Sequence, residues 1–277
     1  MFSSGHLIWI AISFLLILFG TSYCLRRKPP LKKVLLWGTV IGVLSELIKF
    51  FSVTVIVPMI TPVIAEEGGM QVINWVPSGE YTPYLPLEHF PMELCSLYLF
   101  FMPLGLLIKN RVWKKRLFAL MFATGTIGGL MGIVLASITV DLHTIADYFT
   151  APRVWQFFLY HSMIVVISLY LGFGEEAGLR FSDWKTALLE LLVLDLPTFY
   201  LNSLFSTEVY LDNQVAGVTH RINFFSSYVN PLGLILTEKW QWMLYLLIRA
   251  VLASGTVILL YAMLRGKNRS RKKGGGD

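Results

Sequence analysis

Cysteine and histidine stand where apolar runs ordinarily carry neither. Cys95 lies in the run Pro86–Ile108 with His89 and Glu93 before it, and His161 lies in the run Arg153–Phe173. A thiol beside an imidazole is equipped for nucleophilic acyl transfer. The ring takes the thiol proton, the thiolate attacks an ester carbonyl, and an acidic or amide side chain orients the ring. Candidates for orienting the ring or bonding a partner are Glu93, Asp195, Asn202 and Asn223. Arg249 is a candidate for a lipid phosphate, which a guanidinium binds through two parallel hydrogen bonds. Such chemistry requires no cofactor. His89 and Glu93, four apart, share a helix face, and with His143 or His161 they offer a weaker constellation for zinc. Two of those ligands must be borrowed from elsewhere in the chain, so no metal is expected. Glu46 and Lys49, at i and i+3, read as an ion pair that lowers the burial cost of both.

Those residues need elements to hold them, and composition limits what the elements are. The chain has 277 residues, 55% hydrophobic and only 14% charged, with a mean hydropathy of +0.63. A soluble domain carries roughly 25% charged residues. Apolar runs of about 20 residues each suffice to cross a bilayer, and seven are predicted: His6–Leu25, Lys33–Ile60, Pro86–Ile108, Leu117–Val140, Arg153–Phe173, Lys185–Phe205 and Trp240–Leu264. The reading is an all-α, polytopic membrane protein with a single transmembrane domain over residues 1–264 and a basic cytoplasmic tail over 265–277.

Lysine and arginine set the direction, since they are retained on the cytoplasmic side. Eighteen fall in one set of connections and the tail, whereas the opposite set holds only Arg153, Arg221 and Lys239. That puts the N-terminus outside and the C-terminus in the cytoplasm, as an odd number of spans requires. The first run is followed by its basic cluster and by no small-residue cleavage site, so it is expected to stay as a helix. The tail Arg265–Lys273 reads as a topology signal and a contact for anionic lipid at the cytoplasmic face, not as a nucleic-acid site. A plasma-membrane location follows from this reading.

Ionisable groups at membrane depth cost on the order of 2.5 to 3.5 kcal/mol each, so each needs a partner, water or a role. Counted at 1.5 Å per residue from the outer ends of their spans, Cys95 is about 13 Å deep and His161 about 12 Å deep. Asp195, Arg249, Glu46 and Lys49 are comparably deep, so a polar layer is expected in the outer half of the bundle. Arg249 is the evident partner for Asp195 or Glu46. A lone cysteine in an apolar span is more often a small buried hydrophobe, and Cys24, about half a bilayer away, is not expected to bridge to Cys95. Gly125, Gly128, Gly129 and Gly132, repeating every four residues, read as a helix-packing strip.

The stretches LPLEHFPMELCSLYLFFMPLGLLI (Leu85–Ile108) and RVWQFFLYHSMIVVISLYLGF (Arg153–Phe173) resemble the YwaF-like integral membrane proteins of bacteria, with support from LNSLF at Leu201–Phe205 and FFSSYVNPLGL at Phe224–Leu234. That family is similar to a eukaryotic transmembrane phospholipid acyltransferase family. The resemblance implies seven spans and a Cys and His pair, here Cys95 and His161, acting on a phospholipid or other acyl lipid by transfer or hydrolysis. Members of the family often carry a histidine two residues before the cysteine, where this chain has Glu93. The competing reading is a small-solute or lipid transporter, or a lipid-binding scaffold, with Glu46, Lys49, Asp195 and Arg249 lining a polar cavity.

Overall fold

A computed structural model describes residues 3–67, 70–86, 89, 93–136, 138, 142–211, 214–220 and 237–265; at 65–67, 70–73, 75, 207–211 and 214–220 only the backbone is described. The helices are α1 (Ser4–Arg27), α2 (Leu31–Val53), α3 (Tyr98–Leu107), α4 (Arg111–Val134), the single turn α5 (Asp147–Thr150), α6 (Pro152–Phe173), α7 (Trp184–Leu204) and α8 (Lys239–Ala262). Among the described residues six of these are long and apolar enough to cross a membrane: α1, α2, α4, α6, α8 and α7 with the 3-10 turn before it.

Local chemistry explains the ends. The Ser3 hydroxyl caps α1 by accepting from the His6 N–H at 3.3 Å. Lys28 stops the helix in a left-handed conformation with φ 46°, and Pro29 and Pro30 cannot continue it. Asn110 caps α4 by accepting from Val112 and Trp113. Pro152 occupies the first position of α6, where its missing N–H has no helical partner to lose.

Three predicted spans differ from the structure. The second ends at Val53 and not Ile60, and Val55–Glu67 pairs antiparallel with Met70–Tyr84 as the hairpin β1–β2. Val55, Ile56 and Val57 are β-branched and precede Pro58, which disfavours helix in the residue before it. The fourth helix ends at Val134, short of Val140. Among the described residues of the third run the α-helix is the ten-residue α3, about 15 Å of rise against roughly 30 Å of hydrocarbon. A second hairpin, β3 (Ser206–Leu211) with β4 (Gln214–His220), follows α7. Among the described residues the fold is therefore mostly helical, with two antiparallel hairpins.

At one end of the bundle the basic junctions converge. The Leu31 N–H donates to Glu176 at 2.9 Å, Lys28 pairs with Glu175 at 3.2 Å, and the Tyr170 hydroxyl donates to the Pro29 carbonyl at 2.6 Å. Lys115 pairs with Asp183 at 2.9 Å, and the Arg265 guanidinium lies 3.7 Å from the centre of the Phe181 ring. The α1–α2, α3–α4 and α6–α7 junctions and the end of α8 thus share one side. At the opposite end the Trp9 indole donates to the Tyr148 carbonyl at 2.9 Å, and a His6 ring nitrogen bonds the Ile133 carbonyl at 3.0 Å.

The core forms where α4 meets α6. In the apolar stretch of α6 72% of residues are buried, against 11% in α8. α1, α2 and α4 all pack on α6, while α7 and α8 expose Leu192, Leu196, Leu247 and Val251 to the surroundings. Tyr98, fully buried, ties α3 into this core: its hydroxyl donates to the Met121 carbonyl on α4 and lies 2.5 Å from the Ser168 hydroxyl on α6.

Candidate functional site

Cys95 does not sit inside a helix. It lies in the turn Glu93–Leu97 that leads into α3, where the Leu97 N–H bonds the Glu93 carbonyl at 3.0 Å and the Tyr98 N–H bonds the Cys95 carbonyl at 3.2 Å. Counting its depth along a helix from Pro86 is therefore not valid, and its placement is set instead by packing on α4. Gly128 of α4 faces the Cys95 backbone, since a Cβ built there would stand 3.9 Å from its nitrogen. Gly132, one turn on, faces the His161 ring, where a Cβ would stand 2.4 Å from Cδ2. The missing side chains of α4 let both segments close on one helix face. Both cysteines are free thiols, and Cys95 is partly buried with Ser96 interacting with its sulfur through hydroxyl and backbone.

His161 is 5% exposed. Its Nδ1 is 2.7 Å from the Phe157 carbonyl one turn earlier. A carbonyl only accepts, so Nδ1 carries the proton and Nε2 keeps its lone pair. No hydrogen bond joins the ring to Cys95 among the described residues, and Nε2 points at the Gly132 side. The Phe157 ring packs on the imidazole with centroids 4.2 Å apart.

Around this pair lies a polar cluster built from α2 and α6. The Arg153 side chain donates to Gln156 Oε1, and Gln156 Nε2 donates to the Ser45 hydroxyl at 2.6 Å. The Tyr160 hydroxyl donates to the Cys95 carbonyl at 3.3 Å. Glu46 and Lys49 form an ion pair of 2.5 Å. Arg153 is within electrostatic reach of Glu46 and Cys95, and of His161. From the sequence Ser45, Gln156 and Tyr160 are not candidates for a site, and Arg153 counts only as a topology charge. A signal was there: Arg153, Gln156 and Tyr160 fall at i, i+3 and i+7, a polar stripe on one face of an apolar run.

The other candidates are placed elsewhere. Asp195 on α7 is paired with Arg249 on α8, and the Asp195 carbonyl accepts from Thr198 at 2.6 Å. Asn202 is fully buried, its carbonyl accepting from Ser206 at 2.6 Å. Neither is joined to the His161 ring, whose Nδ1 is held by its own helix. His89 is buried, Glu93 is exposed, and the His143 N–H donates to Asp147 at 2.9 Å. No three His, Cys, Asp or Glu side chains among the described residues are grouped to hold a metal ion, so His89, Glu93 and His143 are not brought together as ligands. Asn223 lies outside the described residues, as does the tail beyond Arg265.

The model of the TMEM164 family matches residues 1–263. No curated protein and no solved structure matches the chain.

Proposed function

The chain belongs to the TMEM164 family of transmembrane proteins, and we propose that it is a lipid acyltransferase or acyl hydrolase of the plasma membrane with Cys95 as nucleophile and His161 as general base. The observation that carries this reading is the imidazole tautomer. With its Nδ1 proton committed to Phe157, the ring offers Nε2 as a base on the α4 face that also receives the Cys95 turn. The likeness of the Cys95 and His161 segments to YwaF-like proteins agrees with it.

In the reaction, Nε2 takes the Cys95 proton and the thiolate adds to the ester carbonyl of an acyl lipid. The tetrahedral adduct collapses, the acyl–oxygen bond breaks, and the imidazolium returns its proton to the departing alcohol. The thioester then passes its acyl group to a lysolipid hydroxyl or to water, with His161 taking that proton and restoring the thiol. Phe157, packed at a tilt on the ring, keeps bulk water off it.

This reading carries seven passes in one domain over residues 1–264, the turn before α3 completing the third. The N-terminus lies outside, and the basic tail 265–277 meets anionic lipid in the cytoplasm. The convergence of the basic junctions at one end supports that direction.

Reconstituted vesicles test it. Cys95→Ala and His161→Ala proteins are expected to lose lipid remodelling by at least 100-fold while remaining folded, and full activity in Cys95→Ala would remove the thiol from the mechanism. A lipid-binding scaffold or transporter is the second reading, favoured by an apolar groove of about 830 Å³ along α7 lined by Leu196, Pro197 and Tyr200. Flux that survives both variants and fails on Asp195→Asn would select it.

A further inference from the structure

Two cations are buried among the described residues, Lys49 and Arg153. Lys49 has a carboxylate at 2.5 Å in Glu46. Arg153, 8% exposed, has none within ion-pair distance among the described residues, where its one hydrogen-bonded partner is the neutral Gln156. Its Nε is sealed from solvent and donates to no described atom. A buried guanidinium with an idle donor and no carboxylate in direct contact is costly, Glu46 acting on it only at longer range, and the cost is relieved by an oxyanion.

A second feature points to the same kind of ligand. Arg153 is the second residue of the 22-residue helix α6, whose first turn has no side-chain cap and begins with Pro152. The Val154 N–H is already bonded to the Ala151 carbonyl at 3.1 Å, but the positive end of the helix dipole favours negative charge there. Lys49, also buried, belongs to the ion pair whose Glu46 is within electrostatic reach of Arg153.

We propose that Arg153, with the first turn of α6, holds the phosphodiester of a membrane phospholipid and so presents its acyl ester to the thiol and imidazole deeper in the bundle. The guanidinium carbon lies 5.7 Å from the centre of the Phe157 ring, which also packs on the His161 imidazole at 4.2 Å. One aromatic ring thus separates the anion-binding group from the base. The arrangement gives the phosphate a fixed donor toward the mouth of the bundle and leaves the ester linkage to extend inward, which is the order of groups in a glycerophospholipid. The role falls to Arg153 and not to Arg249, which is already engaged by Asp195. The proposal names the substrate anchor of the site proposed above and rests on that reading only for what happens after binding.

The test measures binding, with no turnover. Full-length protein in detergent is titrated with a dialkyl-ether phosphatidylglycerol, with the matching dialkylglycerol that lacks phosphate, and with inorganic phosphate. Wild type is expected to prefer the phospholipid over the dialkylglycerol by at least 10-fold, with millimolar inorganic phosphate failing to displace it. Arg153→Gln is expected to shrink the preference to within 2-fold, and Arg153→Lys to retain part of it, since a lysine keeps the charge and loses the forked donors. Equal binding of the two lipids by wild type overturns the proposal without any variant, and so does an undiminished preference in folded Arg153→Gln. Displacement by inorganic phosphate overturns the lipid assignment in favour of a free anion. Ether lipids cannot be deacylated, and the same preference is expected in Cys95→Ala, so failure of the acyl-transfer reading and failure of this one are separable.

Discussion

The His161 imidazole lies so close to Gly132 that a Cβ there would stand 2.6 Å from Nε2 and 2.4 Å from Cδ2. The glycine is the floor of the proposed base. Gly132→Ala is therefore expected to push the ring off its position. A displacement near 1 Å costs on the order of 100-fold in rate, while overpacking costs about 1 to 3 kcal/mol in stability. Parallel measurement of lipid turnover and thermal unfolding checks this; a Gly132→Ala protein as active as wild type would show that the ring position is immaterial.

Tyr98 joins α3 to α4 and α6 through one buried hydroxyl. In Tyr98→Phe the Met121 carbonyl and the Ser168 hydroxyl lose that partner where water does not reach. The expected loss is about 1 to 3 kcal/mol, read as a lower unfolding midpoint. Since α3 anchors the Cys95 turn, thiol labelling at Cys95 should also accelerate.

The Asp195 and Arg249 side chains are each 22% exposed and paired across α7 and α8. Removing one partner leaves a half-buried charge, so Asp195→Leu or Arg249→Leu alone should cost about 1 to 3 kcal/mol, below the figure for fully buried pairs because solvent screens part of it. The double variant should lie closer to wild type than either single. A double-mutant cycle on thermal stability measures the coupling, and strict additivity would show that the pair contributes nothing.

Asp147 starts the turn α5 outside the spans. The backbone N–H groups of Thr144 and His143, at 2.6 and 2.9 Å, hold its carboxyl below the usual aspartate range. A depressed folded value stabilises above the unfolded value, about 4, and that contribution is lost as pH falls through the folded value. Indole emission from Trp9, whose N–H donates to the Tyr148 carbonyl, should stay constant above about pH 5 and shift on acidification. In Asp147→Asn the shift should disappear.

Much of the bundle is legible in the sequence because length and apolarity are local properties. The predicted run Arg153–Phe173 differs from α6 by one residue, and the glycine repeat of span four does make close packing. The short helix α3 was not legible within the third run, because apolar content does not distinguish a ten-residue helix with a preceding turn from a continuous one. The hairpin Val55–Tyr84 was hidden for a related reason, its β-branched start being continuous with α2 in hydropathy. Arg153 was counted as a topology charge, since only the fold reveals that its guanidinium turns inward to Gln156. The tautomer of His161 depends on one backbone carbonyl and has no sequence signature.

α6 carries Arg153, Gln156, His161, Ser162 and Ser168 and is the most enclosed helix of the bundle. The helices that wrap it, α1, α2 and α4, all precede it in the chain. During N-to-C synthesis the shell is laid down before its contents emerge. The ribosome therefore releases the most enclosed of the long helices into a berth already lined with protein, and the two remaining long helices dock on the outer side of α4.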